Sequence, residues 1–217
     1  MRPSVDVFLL YVVYVLCFSL LNSSEERVIL GGPPLVLLRS LEMQVIDRVG
    51  CLIPYVLVYM EVVRKGSWLA VLGVISEVVV YVVVKDTVIV YVKEMHVFLS
   101  GGSLLPLNPS GHTFMFLNGV YVLIPVAYSN RWSRRWVCLV SGLIIAEYSR
   151  LMMETATYYH TFSDVGFGVL FFFLFRGLVS PVRRVYRTAT YCNEWSEKGY
   201  FVASLGLGVV LAVWQFL

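Results

Sequence analysis

His160 stands between two apolar runs in the stretch 155–173, TATYYHTFSDVGFGVLFFF, and a carboxylate, Asp164, follows it four residues later. A second histidine, His112, lies about fifty residues upstream in the polar turn Asn108-Pro109-Ser110-Gly111-His112-Thr113-Phe114. A histidine held by a carboxylate keeps one ring nitrogen protonated and the other free to attack an electrophile such as phosphorus. A histidine at a helix start can give a proton to a leaving oxygen. Asn108 reads as the helix cap and Pro109 as the first helical residue. The amides of Ser110, Gly111 and His112 would then leave the helix end pointing at an anion, favoured by the helix dipole. Gly111 would let the backbone approach a phosphate closely. Ser163 or Asp164 reads as the cap of the helix after His160. The two turns together suggest one phosphate-handling site with His160 as nucleophile and His112 as acid. Taken singly, each turn also fits a capped helix carrying an interfacial histidine, and Asp164 also fits a cap that touches nothing else.

The elements that must hold these turns are set by composition. Of the 217 residues, 59% are hydrophobic and 14% charged, against about half and a quarter in soluble domains. That balance points to an integral membrane protein, all-α, a polytopic helix bundle forming a single transmembrane domain. Apolar runs occupy residues 5–21, 44–63, 68–84, 109–128, 136–159 and 164–179, giving six core helices, and residues 199–217 could form a seventh. The core is 1–180; a basic loop and the C-terminal helix make up 181–217. The first run reads as a retained helix rather than a signal peptide, because Asp6 interrupts the basic region and the cleavage pattern is poor. Pro54 could bend the second run, Lys85 and Asp86 interrupt the third, Thr87–Val92 could continue it at the interface, and residues 93–107 read as a loop.

The small net charge of +3, without a basic tract, gives no sign of a nucleic-acid partner. Cys17, Cys51 and Cys138 fall in apolar runs and Cys192 in a basic loop, so four thiols without a disulfide are expected. Two histidines acting on phosphorus need no metal. With His96 as the third histidine in the chain, a zinc site would also need carboxylates, so neither metal nor cofactor is expected. Neither an inverted repeat nor a pair of broken helices suggests a transporter.

Charges inside the runs have two readings. Glu147, Arg150 and Glu154 share a helix face by their spacing, and Glu77 lies in the third run. Such groups face the bundle interior. An ion-pair network that fixes helix packing is the preferred reading; the alternative has Arg150 binding the substrate phosphate. In a regular helix Arg150 would lie about 15 Å from His160 along the axis.

Ser149-Arg150, Pro109-Ser110-Gly111-His112 and His160-x-x-x-Asp164 resemble the lipid phosphate phosphatase superfamily. In it the second histidine is the nucleophile, the first the general acid, and the aspartate orients the nucleophile. The usual upstream Lys and Arg-Pro motif is absent here, and the gap from Arg150 to His160 is longer than in that superfamily. The chain is more closely similar to the fat storage-inducing transmembrane (FIT) family. That likeness runs over Thr155–His160 with Ser163, over Phe167-Gly168-Val169-Leu170-Phe171, over Ser110-Gly111-His112-Thr113-Phe114, and more weakly over Leu52-Ile53-Pro54-Tyr55. The resemblance implies a multi-pass protein of the endoplasmic reticulum membrane that supports lipid droplet formation. It also implies cleavage of the diphosphate of fatty acyl-CoA to acyl 4′-phosphopantetheine and adenosine 3′,5′-bisphosphate. A lipid phosphatase or headgroup transferase with the same histidines, and a non-enzymatic neutral-lipid-binding scaffold, are the alternatives.

Orientation follows from the basic residues. With the N-terminus cytosolic, eleven of the seventeen Lys and Arg fall on the cytosolic side. Both histidine turns then share the lumenal face. A glycosylation tag inserted at 101–103 should therefore be modified and one beside Ser133 should not; the opposite pattern would separate the turns from the lumen.

Overall fold

The computed structural model describes residues 3–22, 45–46, 49–64, 68–99, 109–129, 135–156 and 160–190. All regular structure among them is helical: α1 (Pro3–Asn22), a 3-10 turn (Gly50–Leu52), α2 (Ile53–Arg64), α3 (Trp68–Val83), a π turn (Val84–Val88), α4 (Ile89–Leu99), α5 (Gly111–Ser129), α6 (Arg135–Glu154) and α7 (Phe162–Thr190). The chain is an all-α bundle, as its composition implies. The valine-rich stretch of α3, WLAVLGVISEVVVYVV, would suit a strand by propensity alone. In a bilayer no water satisfies a strand's amides and carbonyls, and the helix closes all those bonds within one segment. Three helices are long and apolar enough to cross a membrane: Trp68–Met95, Arg135–Glu154 and Phe162–Arg184. Phe8–Leu21 and Gly111–Ile124 are shorter apolar helices. The run 199–217 lies outside the described residues.

α5 is the axis of the bundle. It packs against α2, α6 and α7, and every residue from Thr113 to Val120 is buried. A helix apolar on all sides belongs inside. α1 lies against α6 and α7, and α3 against α2 and α7. Outward positions such as Leu139, Leu143, Leu170, Leu174 and Leu178 are exposed, leaving an apolar surface suited to lipid. Because lipid tails are as apolar as leucine, close packing and polar contacts between helices carry the association.

Several boundaries differ from the expectation. The third run does not stop at Lys85-Asp86; a π turn keeps the backbone helical through them to Leu99, and the two side chains pair at 3.2 Å. Lys93 is thereby in α4, not in a loop. Pro54 does not bend a long helix. It is the second residue of a 12-residue helix, where its missing N–H has no intrahelical partner to lose. α7 continues past Val179 and through Pro181.

That extension changes the place of Arg183, which the orientation argument puts in a cytosolic loop. Arg183 is buried, and its guanidinium Nε lies 2.8 Å from both carboxylate oxygens of Glu77 on α3, with a second, very short contact from Nη2. The Tyr55 hydroxyl donates to Glu77 at 3.3 Å and accepts from the Asn118 amide at 2.7 Å. α2, α3, α5 and α7 thus share one polar cluster. On α6, Arg150 bonds Glu147 at 2.9 Å and Glu154 at 3.3 Å, the ion-pair network expected of that face. Cys17, Cys51 and Cys138 carry thiols, not disulfides; Cys192 lies outside the described residues.

Removing one member of a buried ion pair strands the other, at a cost of about 3–5 kcal/mol, whereas replacing both by apolar residues is often neutral. Arg183→Met should therefore lower the Tm of the detergent-solubilised protein sharply. Glu77→Leu combined with Arg183→Met should recover most of the loss, measured by thermal unfolding of all three variants.

Candidate active site

The two histidine turns meet. The rings of His112 and His160 lie 6.3 Å apart between centroids, at 54°. His112 is the second residue of α5, and His160 lies two residues before α7 starts. α5 and α7 run the same way, with α6 as the return between them, so both helix starts come to one end of the bundle.

The starts are joined through the backbone. The Ser110 N–H donates to the Asp164 carbonyl at 3.0 Å. Beyond it, Ser110 caps α5: its Oγ accepts the Thr113 N–H at 3.1 Å, and its carbonyl accepts the Phe114 N–H at 3.2 Å. The expected cap, Asn108, lies outside the described residues, and Pro109 precedes the helix. The expected phosphate cradle is correspondingly narrower. The Ser110 amide is spent on Asp164, which leaves the amides of Gly111 and His112, at the first two helical positions, directed out of the helix end.

Neither Ser163 nor Asp164 caps α7. Thr161 does, in a reciprocal box: the Asp164 N–H donates to Thr161 Oγ1 at 3.3 Å, and the Thr161 N–H donates to Asp164 Oδ2 at 3.1 Å. The Thr-x-x-Asp pattern in 161–164 is the signal that identifies this cap. The same Oδ2 is 3.6 Å from His160 Nδ1. That is longer than a hydrogen bond but close enough to favour the proton on Nδ1 and the lone pair on Nε2. Catalytic contacts of this kind often tighten only when substrate binds. The His160 backbone is fixed as well, its N–H donating to the Thr155 carbonyl at 3.2 Å.

The His160 side chain is only 8% exposed. Burial lowers its pKa below the ordinary value. Asp164 opposes the shift, while His112 and Lys93 push it further down. A nucleophilic imidazole must be neutral, and this environment keeps it so at neutral pH. Lys93 is a cation that the sequence placed in a loop, yet its field reaches the site from α4.

Of the six site residues expected, His160, His112, Asp164, Ser110 and Gly111 gather around the Ser110–Asp164 junction. Arg150 lies one turn before the end of α6, with its guanidinium bracketed by Glu147 and Glu154. Among the described residues no cluster of three or more His, Cys, Asp or Glu could hold a metal ion.

Gly168 lets the two helix starts approach. A Cβ there would lie 2.7 Å from the Ser110 carbonyl oxygen and 2.7 Å from Thr113 Cβ, both on parts that cannot swing away. Gly168→Ala should push α5 from α7, weaken the Ser110–Asp164 bond and widen the gap between the histidines. Gly166→Ala is the control, since a Cβ there meets nothing within 4 Å and alanine favours the helix. The expected result is a folded Gly168→Ala protein with sharply reduced turnover, and a Gly166→Ala protein at least as stable and active as the parent.

Comparison with protein-family models, curated proteins and solved structures returns no match to this chain.

Proposed function

We propose that the protein is a membrane-embedded phosphoanhydride hydrolase that acts on the diphosphate of fatty acyl-CoA at the lumenal face of the endoplasmic reticulum membrane. The observation that carries this is the pairing of His160, backed by Asp164, with His112 at a helix N-terminus 6.3 Å away. Nε2 of His160 attacks one phosphorus, and its bond to the bridging oxygen breaks. His112 gives a proton to that oxygen as it leaves. Water then attacks the phosphohistidine, and His112, now neutral, takes the water's proton. The Gly111 and His112 amides and the α5 dipole stabilise the charge that grows on the phosphoryl oxygens. The products are acyl 4′-phosphopantetheine and adenosine 3′,5′-bisphosphate. No metal or cofactor has a part in this scheme.

An amphiphilic substrate suits the surroundings. Tyr14, Phe18, Met152, Met153 and Ala156 line a crevice between α1 and α6. Its Ala156 end adjoins Thr155, which holds the His160 amide. The crevice is closed in this structure, so α1 would part from α6 for an acyl chain to lie there with its headgroup at the histidines. The resemblance to the FIT family supports the same substrate class and a role in lipid droplet formation.

Purified protein given acyl-CoA should release the bisphosphate nucleotide and leave phosphatidate intact; the reverse preference would favour a lipid phosphatase. His160→Ala should abolish turnover, because no covalent intermediate can form. His112→Ala should lose about 10²–10⁴-fold, the usual contribution of a general acid, and recover in part with p-nitrophenyl phosphate, whose leaving group needs no proton. Rescue of His160→Ala instead would exchange the roles. Full lipid droplet support by both variants would return the protein to the scaffold reading.

A further inference from the structure

The bundle holds a second charged site, which the hydrolase chemistry does not use. Arg176 on α7 lies with its guanidinium carbon 3.5 Å from the centroid of the Tyr121 ring on α5. The Arg183 guanidinium carbon is 4.7 Å from the same centroid. Phe8 of α1 and Phe172 pack on Tyr121 at 5.0 and 5.9 Å. Glu77 answers Arg183. Among the described residues no carboxylate is paired with Arg176, and its Nη1 is buried without a hydrogen-bond partner. The ring face stabilises the cation by about 0.5–2 kcal/mol, but it accepts nothing from the N–H donors in the guanidinium plane.

Depth makes this arrangement costly. Arg176 is sixteen residues past His160, about 24 Å along a helix axis, in a hydrocarbon zone about 30 Å thick. Helical side chains tilt back towards the N-terminus, which draws the guanidinium deeper still. A cation there with an unmet donor requires an anion. Arg176 is only partly buried, and Phe173, one turn before it on the same face of α7, is exposed and apolar, so this side of the site meets the bilayer.

The geometry points to a binding site for the headgroup phosphate of an anionic phospholipid, between α1, α5 and α7 at the end of the bundle away from the histidines. The phosphate oxygens accept from the planar fork of Arg176, and the negative charge balances this guanidinium, as Glu77 balances that of Arg183. The lipid tails lie along the apolar face of α7 that carries Phe173. The site stands independently of the hydrolase reading, because it shares no residue with the histidine pair.

The test uses the full chain in nanodiscs of phosphatidylcholine alone or phosphatidylcholine with phosphatidylglycerol. Bound lipid is read by native mass spectrometry and stability by Tm. Phosphatidylglycerol should be retained and should raise the Tm of the parent protein. Arg176→Gln should retain at least about tenfold less, the loss of a charge-assisted contact. Arg176→Lys keeps the charge but not the fork and should fall between. Arg184→Gln, at an exposed arginine of the same helix, should match the parent. Parent-like retention in both Arg176 variants overturns the proposal, as does an equal loss in Arg184→Gln. A Tm rise with inorganic phosphate in phosphatidylcholine discs equal to that with phosphatidylglycerol also overturns it, since the anion would then come from solution.

Discussion

One backbone hydrogen bond, from the Ser110 amide to the Asp164 carbonyl, joins the starts of the two helices that carry the histidines. Its net worth is about 0.5–1.5 kcal/mol, which is small against the stability of a bundle. Its consequence is geometric. It sets the distance between two side chains that, in the proposed reaction, would act on the same phosphorus, where a displacement of about 1 Å can cost a factor of about 10² in rate. The bond forms only because Gly168 lets α7 come against Ser110 and Thr113. Asp164 serves the junction three times: its carbonyl ties α5, its carboxylate closes the box with Thr161, and the same carboxylate faces His160. Stability of the helix start and orientation of the His160 ring are therefore coupled in one residue.

The bilayer imposes the second constraint. Every charge inside the bundle needs an answer, and most have one within the protein. Arg150 sits between Glu147 and Glu154 on its own helix, and Arg183 reaches across to Glu77. The first pair of contacts stiffens α6, whereas the second locks α3 to α7. Arg176 departs from that pattern: among the described residues no carboxylate answers it, and a cation within the hydrocarbon zone near the end away from the histidines marks a place where something other than the protein completes the structure.

Much of the architecture was legible in the residues alone. Apolar runs of membrane length, with few charges inside them, predicted an all-α bundle because a helix satisfies its own backbone in lipid. Ser-Gly-His and His-x-x-x-Asp stood out because each couples a histidine to a feature that shapes its chemistry, a helix start in one case and a carboxylate in the other. The spacing of Glu147, Arg150 and Glu154 gave their pairing directly, since neighbours on one helix face are set by the 3.6-residue turn.

What the residues could not decide were contacts between helices and the fate of individual donors. The Ser110 amide looks like part of a phosphate cradle until α7 arrives and supplies the Asp164 carbonyl. Arg183 reads as one more cytosolic charge until helix α7, running through Pro181, carries it against Glu77 over a hundred residues away in the chain. Lys85 and Asp86 look like a helix end, but a π turn absorbs them at little cost. Local sequence determines which groups a segment offers, because capping, periodicity and hydropathy act over a few residues. Which partner each group meets depends on the approach of other segments, and that is decided only when the helices pack.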